Sequence, residues 1–138
     1  MANILVTGSN SGFGRLTSLT LARRGHQVVA TMRTPSKGDE LRDISSDEKL
    51  GIEVRALDVN DPLSVLAGVG EPLNVDVLIN NAGFEVEGAI EQIDDDHMWR
   101  QLDTNVMGPL RTMRAVVPAW LSRRSGVIVN VSSIAGRV

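Results

Sequence analysis

Residues Thr7-Gly8-Ser9-Asn10-Ser11-Gly12-Phe13-Gly14 follow directly on the apolar run Ile4-Leu5-Val6, and their reading decides the fold. The run has the length of a buried strand, and the glycines stand where a strand ends and a helix begins. Glycines there let backbone amides approach a diphosphate, while the next helix turns the positive end of its dipole to the same group. Gly8, Ser9, Asn10, Ser11, Gly12, Phe13 and Gly14 are therefore read as a phosphate cradle. The Gly-Lys-Ser/Thr ending of P-loop nucleotide enzymes is absent, which favours a dinucleotide over ATP.

Outward from this stretch, short apolar runs alternate with longer helical patterns, the signature of βαβ units around a parallel sheet covered on both faces. A first helix carries Leu16, Leu19 and Ala22 and ends at Arg23-Arg24-Gly25. Val28–Thr31 is a strand, Glu40–Leu50 a weak charged helix, and Ile52–Leu57 a strand with one wetter face, as at a sheet edge. Asn60 or Asp61, with Pro62, caps a short helix, and Val75–Ile79 is a fourth strand. Asp94-Asp95-Asp96 opens a long helix to about Arg123, because carboxylates suit a helix N-terminus better than consecutive aspartates suit a metal. Leu102, Val106, Leu110, Met113 and Val117 form its expected core stripe. Val127–Val131 is the fifth strand.

With 138 residues, 42% hydrophobic and 22% charged, the chain fits one soluble domain spanning 1–138. Fourteen basic against 17 acidic residues leave a net charge of -3, which supplies neither a basic surface for nucleic acid nor a polybasic patch for a membrane. Without cysteine there is no disulfide framework or thiolate metal site, and a reducing cytoplasm fits. No targeting segment or membrane span is visible.

Ligands of doubly wound sheets bind outside the carboxyl ends of the strands, and the unusual residues of this chain fall there. Strand one ends in the glycine loop, strand two at Arg33, strand three at Asp58, strand four at Asn80-Asn81-Ala82-Gly83 and strand five at Ser132-Ser133. The acid that would bond the ribose hydroxyls of NAD(H) is replaced by Thr31-Met32-Arg33. Arg33 suits a 2′-phosphate, so NADP(H) is favoured, although it also fits a solvated loop cation. Asp58 suits the adenine amine or, alternatively, a cap on the next turn. Inside the long helix, Pro109 has no N–H for the carbonyl of Asn105, so a kink is expected there. That carbonyl suits an ordered water in a proton relay, or the kink serves packing alone.

Thr7-Gly8-x-x-x-Gly12-x-Gly14, Asp58-Val59, Asn80-Asn81-Ala82-Gly83, Asn105 and Ser132-Ser133 together resemble the short-chain dehydrogenase/reductase family. The resemblance covers essentially the whole chain. It implies a Rossmann-like doubly wound parallel sheet, here five strands in the order 3-2-1-4-5. It also implies hydride transfer between a nicotinamide and a carbonyl or alcohol substrate. Gly8 to Gly14, Arg33, Asp58, Val59, Asn81, Ala82 and Gly83 become cofactor residues, and Asn105 and Ser133 catalytic ones, with Ser132 as the fallback for the serine. A homodimer or homotetramer of the full-length form is implied through the long helix.

The family's Tyr-x-x-x-Lys pair has no counterpart, since the sequence contains no tyrosine. The chain is accordingly expected to be the N-terminal part of a longer domain and inactive alone, with strand five left as an edge; the alternative is a non-catalytic dinucleotide-binding or regulatory module. Replacing Arg33 with Glu is expected to shift preference from NADPH towards NADH. Comparison of the two dissociation constants checks this, and an unmoved ratio contradicts the role given to Arg33.

Overall fold

The computed structural model describes residues 1–70 and 74–134; the remainder of the domain read over 1–138, residues 71–73 and 135–138, lies outside the described residues. Five parallel strands form one sheet in the order β3-β2-β1-β4-β5. They are β1 (Asn3–Val6), β2 (Gln27–Met32), β3 (Ile52–Ala56), β4 (Val77–Asn80) and β5 (Val127–Asn130), and the helices are α1 (Gly12–Arg23), α2 (Asp39–Asp47), α3 (Pro62–Val69), α4 (Asp95–Leu102) and α5 (Gly108–Arg123). The reversal of strand order lies at β1, where β2 pairs on one side and β4 on the other.

Alternation along β1 divides the core between the faces. Leu5 joins Leu78, Val65, Val69, Val116 and Trp120 under α3 and α5, whereas Ile4 and Val6 join Val28, Ile79 and Ala22 under α1. Leu19, Ala30, Met32 and Leu41 extend the second layer beneath α2. Strands buried on both faces need continuous apolar runs, which is why these segments carry so little polar sequence.

Local signals set the element ends. The Asp61 carboxylate accepts the Leu63 N–H at 2.9 Å, and Pro62 occupies the first turn, where its missing N–H costs nothing. Asp94 caps α4 through the His97 N–H at 2.8 Å, so the three aspartates do open a helix. That backbone hydrogen bond, with the His97 side chain adding to it, holds the Asp94 carboxyl below its ordinary value. α2 starts and stops earlier than its charge pattern suggests, because Lys49 adopts φ 54° and reverses the chain. There Arg23 grips Glu48 through Nε and Nη2 at 2.7 and 2.6 Å, a bond that lowers the Glu48 pKa. β4 begins after Val75, whose carbonyl turns to accept the Trp120 indole N–H at 2.7 Å.

The long helix departs from its sequence pattern. A π-helical turn at Asp103–Met107 separates α4 from α5, with the Gly108 N–H donating to the Asp103 carbonyl. Beyond it the buried row is Gly108, Thr112, Val116 and Trp120, while Leu102 and Val106 of the expected stripe are 42% and 50% exposed. Thr112 tolerates burial because its hydroxyl has two acceptors in reach for its one hydrogen, Asn80 Oδ1 at 2.6 Å and the Pro109 carbonyl at 2.9 Å. Among the described residues no helix is long and apolar enough to cross a membrane.

Two stability outcomes follow from these contacts. Trp120→Ala removes a buried ring and its bond to Val75, and should cost about 3–5 kcal/mol in urea unfolding. Asp94 and Glu48 both have lowered folded-state pKa values, so their stabilisation is present above the ordinary carboxylate range and lost as pH falls through it. Asp94→Asn and Glu48→Gln should each flatten the acid limb of stability against pH.

Candidate functional site

The glycine loop is fixed by its own flanking residue. Thr7 follows β1 and is fully buried, and its hydroxyl accepts the N–H groups of both Asn81 and Ala82 at 3.0 Å. Asn81 returns the contact, its Nδ2 donating to the carbonyls of Thr7 at 3.0 Å and Gly8 at 3.1 Å. The segments approach so closely that a Cβ on Gly8, already at φ +69°, would stand 2.8 Å from Ala82 Cα. One on Gly14 would overlap the Gly8 carbonyl oxygen. Gly12 differs: at φ +54° it turns the chain into α1, and open space surrounds its missing Cβ. At Gly12 the loop therefore presents bare backbone at the N-terminus of α1, with Asn10, Ser11 and Phe13 exposed beside it.

That face opens on a cleft of about 490 Å³ at the carboxyl ends of the strands. Gly8, Asn10, Ser11, Gly12, Phe13, Arg33, Asp58, Val59, Asn81, Ala82 and Gly83 line it together. Ser9 and Gly14 stand behind the lining. Ser9 is buried, with its N–H on the Thr31 carbonyl at 2.9 Å and its hydroxyl on the Val6 carbonyl at 3.0 Å. A second cavity of about 530 Å³, bordered by Gln27, Gly51, Arg55 and Gly70, lies at the amino ends of the strands and includes none of the glycine-loop residues. Crevices at that end of a doubly wound sheet lack the converging loops and helix N-termini that bind ligands.

Arg33 leaves the end of β2 exposed and makes no hydrogen bond or ion pair among the described residues, so its guanidinium is available to an anion in the cleft. Asp58 closes the next turn, one carboxylate oxygen accepting the Asn60 N–H at 3.0 Å, and the residue borders the cleft. Arg100 of α4, with Asn60, Thr104 and Phe84, completes a wall that sequence patterning did not assign.

Asn105 lies in the π-helical turn, outside the lining. Its Oδ1 accepts the Phe84 N–H at 3.1 Å and its Nδ2 donates to the Phe84 carbonyl at 2.8 Å, so the carboxamide fastens the turn to the loop beyond Gly83. Pro109 lies in the first turn of α5, where a missing N–H is tolerated. Asn80 ties strand five to this edge: its Nδ2 donates to Asn130 Oδ1 at 2.9 Å, and its carbonyl accepts the Val131 N–H at 2.9 Å. Ser132 and Ser133 follow, exposed, at the same carboxyl edge as Asn81 to Gly83. Neither borders the cleft.

The family model for short chain dehydrogenase matches residues 2–138. Among curated relatives, an uncharacterized oxidoreductase, YusZ, of Bacillus subtilis (strain 168) is 37% identical over 137 residues, covering 96% of this chain and 49% of its own length. A 3-ketodihydrosphingosine reductase of Bacteroides thetaiotaomicron is 36% identical over 138 residues, covering 96% and 47%. The chain thus spans about half the length of the curated relatives it matches. Among solved structures, a short-chain dehydrogenase from Sphingobium yanoikuyae in complex with NADPH superposes with a TM-score of 0.90 at 28% identity, covering 100% of this chain and 56% of its own. A 3-oxoacyl-(acyl-carrier protein) reductase with bound NAD from Brucella melitensis gives 0.92 at 28% identity, covering 99% and 55%.

Thr7→Val keeps the shape of the side chain and orphans the amides of Asn81 and Ala82. At about 1–3 kcal/mol for each unsatisfied group, a loss of about 2 kcal/mol or more is expected in urea unfolding. Thr7→Ser, which keeps the hydroxyl, should recover most of it.

Proposed function

The chain belongs to the short-chain dehydrogenase/reductase family, and from that premise we propose that its cleft binds a nicotinamide dinucleotide, NADP(H) in preference to NAD(H), for hydride exchange with a carbonyl or alcohol substrate. The observation that carries this is the bare backbone of Gly12 at the head of α1, in one cleft with Arg33, whose guanidinium pairs with none of the described residues. A diphosphate needs amide donors and a helix N-terminus without intervening side chains, and a 2′-phosphate needs a guanidinium at the end of β2. Both are supplied within the same lining. Relatives of this family occur with either cofactor, so the preference rests on Arg33 and on the absence of an acid beside it.

Gly8, Asn10, Ser11, Gly12 and Phe13 would hold the diphosphate, Arg33 the 2′-phosphate, Asp58 and Val59 the adenine, and Asn81 to Gly83 the ribose side of the nicotinamide. When bound, the nicotinamide supplies or accepts the hydride. Ser133, or Ser132 in its place, would donate a hydrogen bond to the substrate oxygen, and Asn105 would hold the loop at Phe84 against the site. The tyrosine that the family uses to exchange the substrate proton is absent from these 138 residues. By themselves they are therefore proposed to bind cofactor without turnover.

The 138-residue protein should bind NADPH saturably and leave its absorbance unchanged across a panel of ketones and aldehydes. A form extended by native downstream sequence containing Tyr-x-x-x-Lys should oxidise NADPH with at least one of them. Binding without turnover in both forms would support a dinucleotide-binding module instead, and no binding in either would remove the cofactor assignment.

A further inference from the structure

The π-helical turn between α4 and α5 is bonded to both walls of the cleft by adjacent residues. On one side Asn60 Nδ2 donates to the Thr104 hydroxyl at 3.0 Å, and that hydroxyl donates to Asn60 Oδ1 at 3.1 Å. One hydroxyl can give and accept at once, so the two bonds are compatible. Arg111 fastens the same wall, donating to the Val59 carbonyl at 3.2 Å while its Nη2 pairs with the Asp103 carboxylate at 2.6 Å. Gly108 lets that wall close, since a Cβ there would stand 2.9 Å from Val59 Cγ2. On the other side the next residue, Asn105, holds Phe84 by two bonds. The turn carrying Asp58, Val59 and Asn60 is thus joined to the loop beyond Gly83 through Thr104 and Asn105.

We propose that Thr104 is a positioning residue, which transmits occupancy of the adenosine half of the cleft at Asp58–Asn60 to Asn105 and its hold on Phe84. The inference rests on the dinucleotide reading of the cleft. A ligand that orders the Asp58–Asn60 turn steadies Asn60, hence the Thr104 hydroxyl and the turn that bears Asn105. The reciprocal pair gives the path a defined breaking point. Removing the Thr104 hydroxyl breaks the Asn60–Thr104 pair and leaves the Arg111 bonds to Val59 and Asp103 in place. Coupling by hydrogen bonds needs such a break to be demonstrated, since proximity alone does not establish it.

The probe is adenosine 2′,5′-bisphosphate, which resembles only the adenosine half of NADP(H). The readouts are its dissociation constant and the hydrogen exchange rate of the Phe84 amide, whose N–H donates to Asn105. Saturation should slow that exchange several-fold in the natural sequence and in Thr104→Ser. In Thr104→Val the slowing should fall sharply at bisphosphate concentrations that saturate that variant by its own dissociation constant. If Thr104→Val does not fold, Asn60→Ala breaks the same pair from the opposite wall and should likewise lose the slowing. Equal slowing in a binding-competent Thr104→Val, or none in the natural sequence once saturated, overturns the proposal alone. Failure of the natural sequence to bind the bisphosphate at all overturns the dinucleotide reading and the proposal with it.

Discussion

The Thr7 hydroxyl, accepting two amides from the segment that follows β4, is the constraint on which the rest of the site depends. It converts two neighbouring strand ends into one rigid corner, with Asn81 donating back to the carbonyls of Thr7 and Gly8. Closure at that distance admits no side chain at Gly8 or Gly14, and the space it leaves is taken by backbone. The glycines therefore have different causes. Gly8 and Gly14 allow the corner to close, and Gly12 leaves the loop surface bare.

A corner of this kind works only if β1 and β4 are held in register, and the core supplies that. β1 sits between β2 and β4 with Leu5 on one face and Ile4 and Val6 on the other, all fully or nearly fully buried. Asn80 extends the same logic to β5 and α5 through Asn130 and Thr112. Thr7, Asn80 and Asn81 are bonded to neighbouring segments, so the carboxyl edge is braced at β1, β4 and β5. Stiffness there matters because donors that are already placed lose little freedom when a phosphate arrives.

Much of this was legible in the sequence. Short apolar runs broken by glycine or asparagine located all five strands, and the aspartates before α4 announced its cap, because these signals act within a few residues of themselves. Most cofactor positions also fell together in one cleft, since strand ends in a parallel sheet converge by topology. What escaped has a common cause. The buried row Gly108, Thr112, Val116 and Trp120 is hidden from an apolar count because Gly108 and Thr112 are buried for contacts with Val59 and Asn80, far away in sequence. Ser9 looked like a phosphate donor, yet its N–H and hydroxyl are bonded inward to Thr31 and Val6. The roles of Thr104, Asn60 and Arg111 likewise depend on pairs that no spacing rule connects.

The cleft's chemistry follows from what lies at its surface: the bare backbone of Gly12, a guanidinium without a partner among the described residues, and a carboxylate already closing its own turn. These are the groups on which the proposed dinucleotide reading of the cleft rests, in a chain that belongs to the short-chain dehydrogenase/reductase family. The most direct test is a map of backbone amide shifts as NADPH is added. The account predicts the largest changes at Asn10 to Phe13, Arg33, Asp58 and Asn81 to Gly83, with the edge near Gln27, Gly51 and Gly70 undisturbed. Changes centred on that opposite cavity, or an unperturbed glycine loop at saturating NADPH, would contradict it.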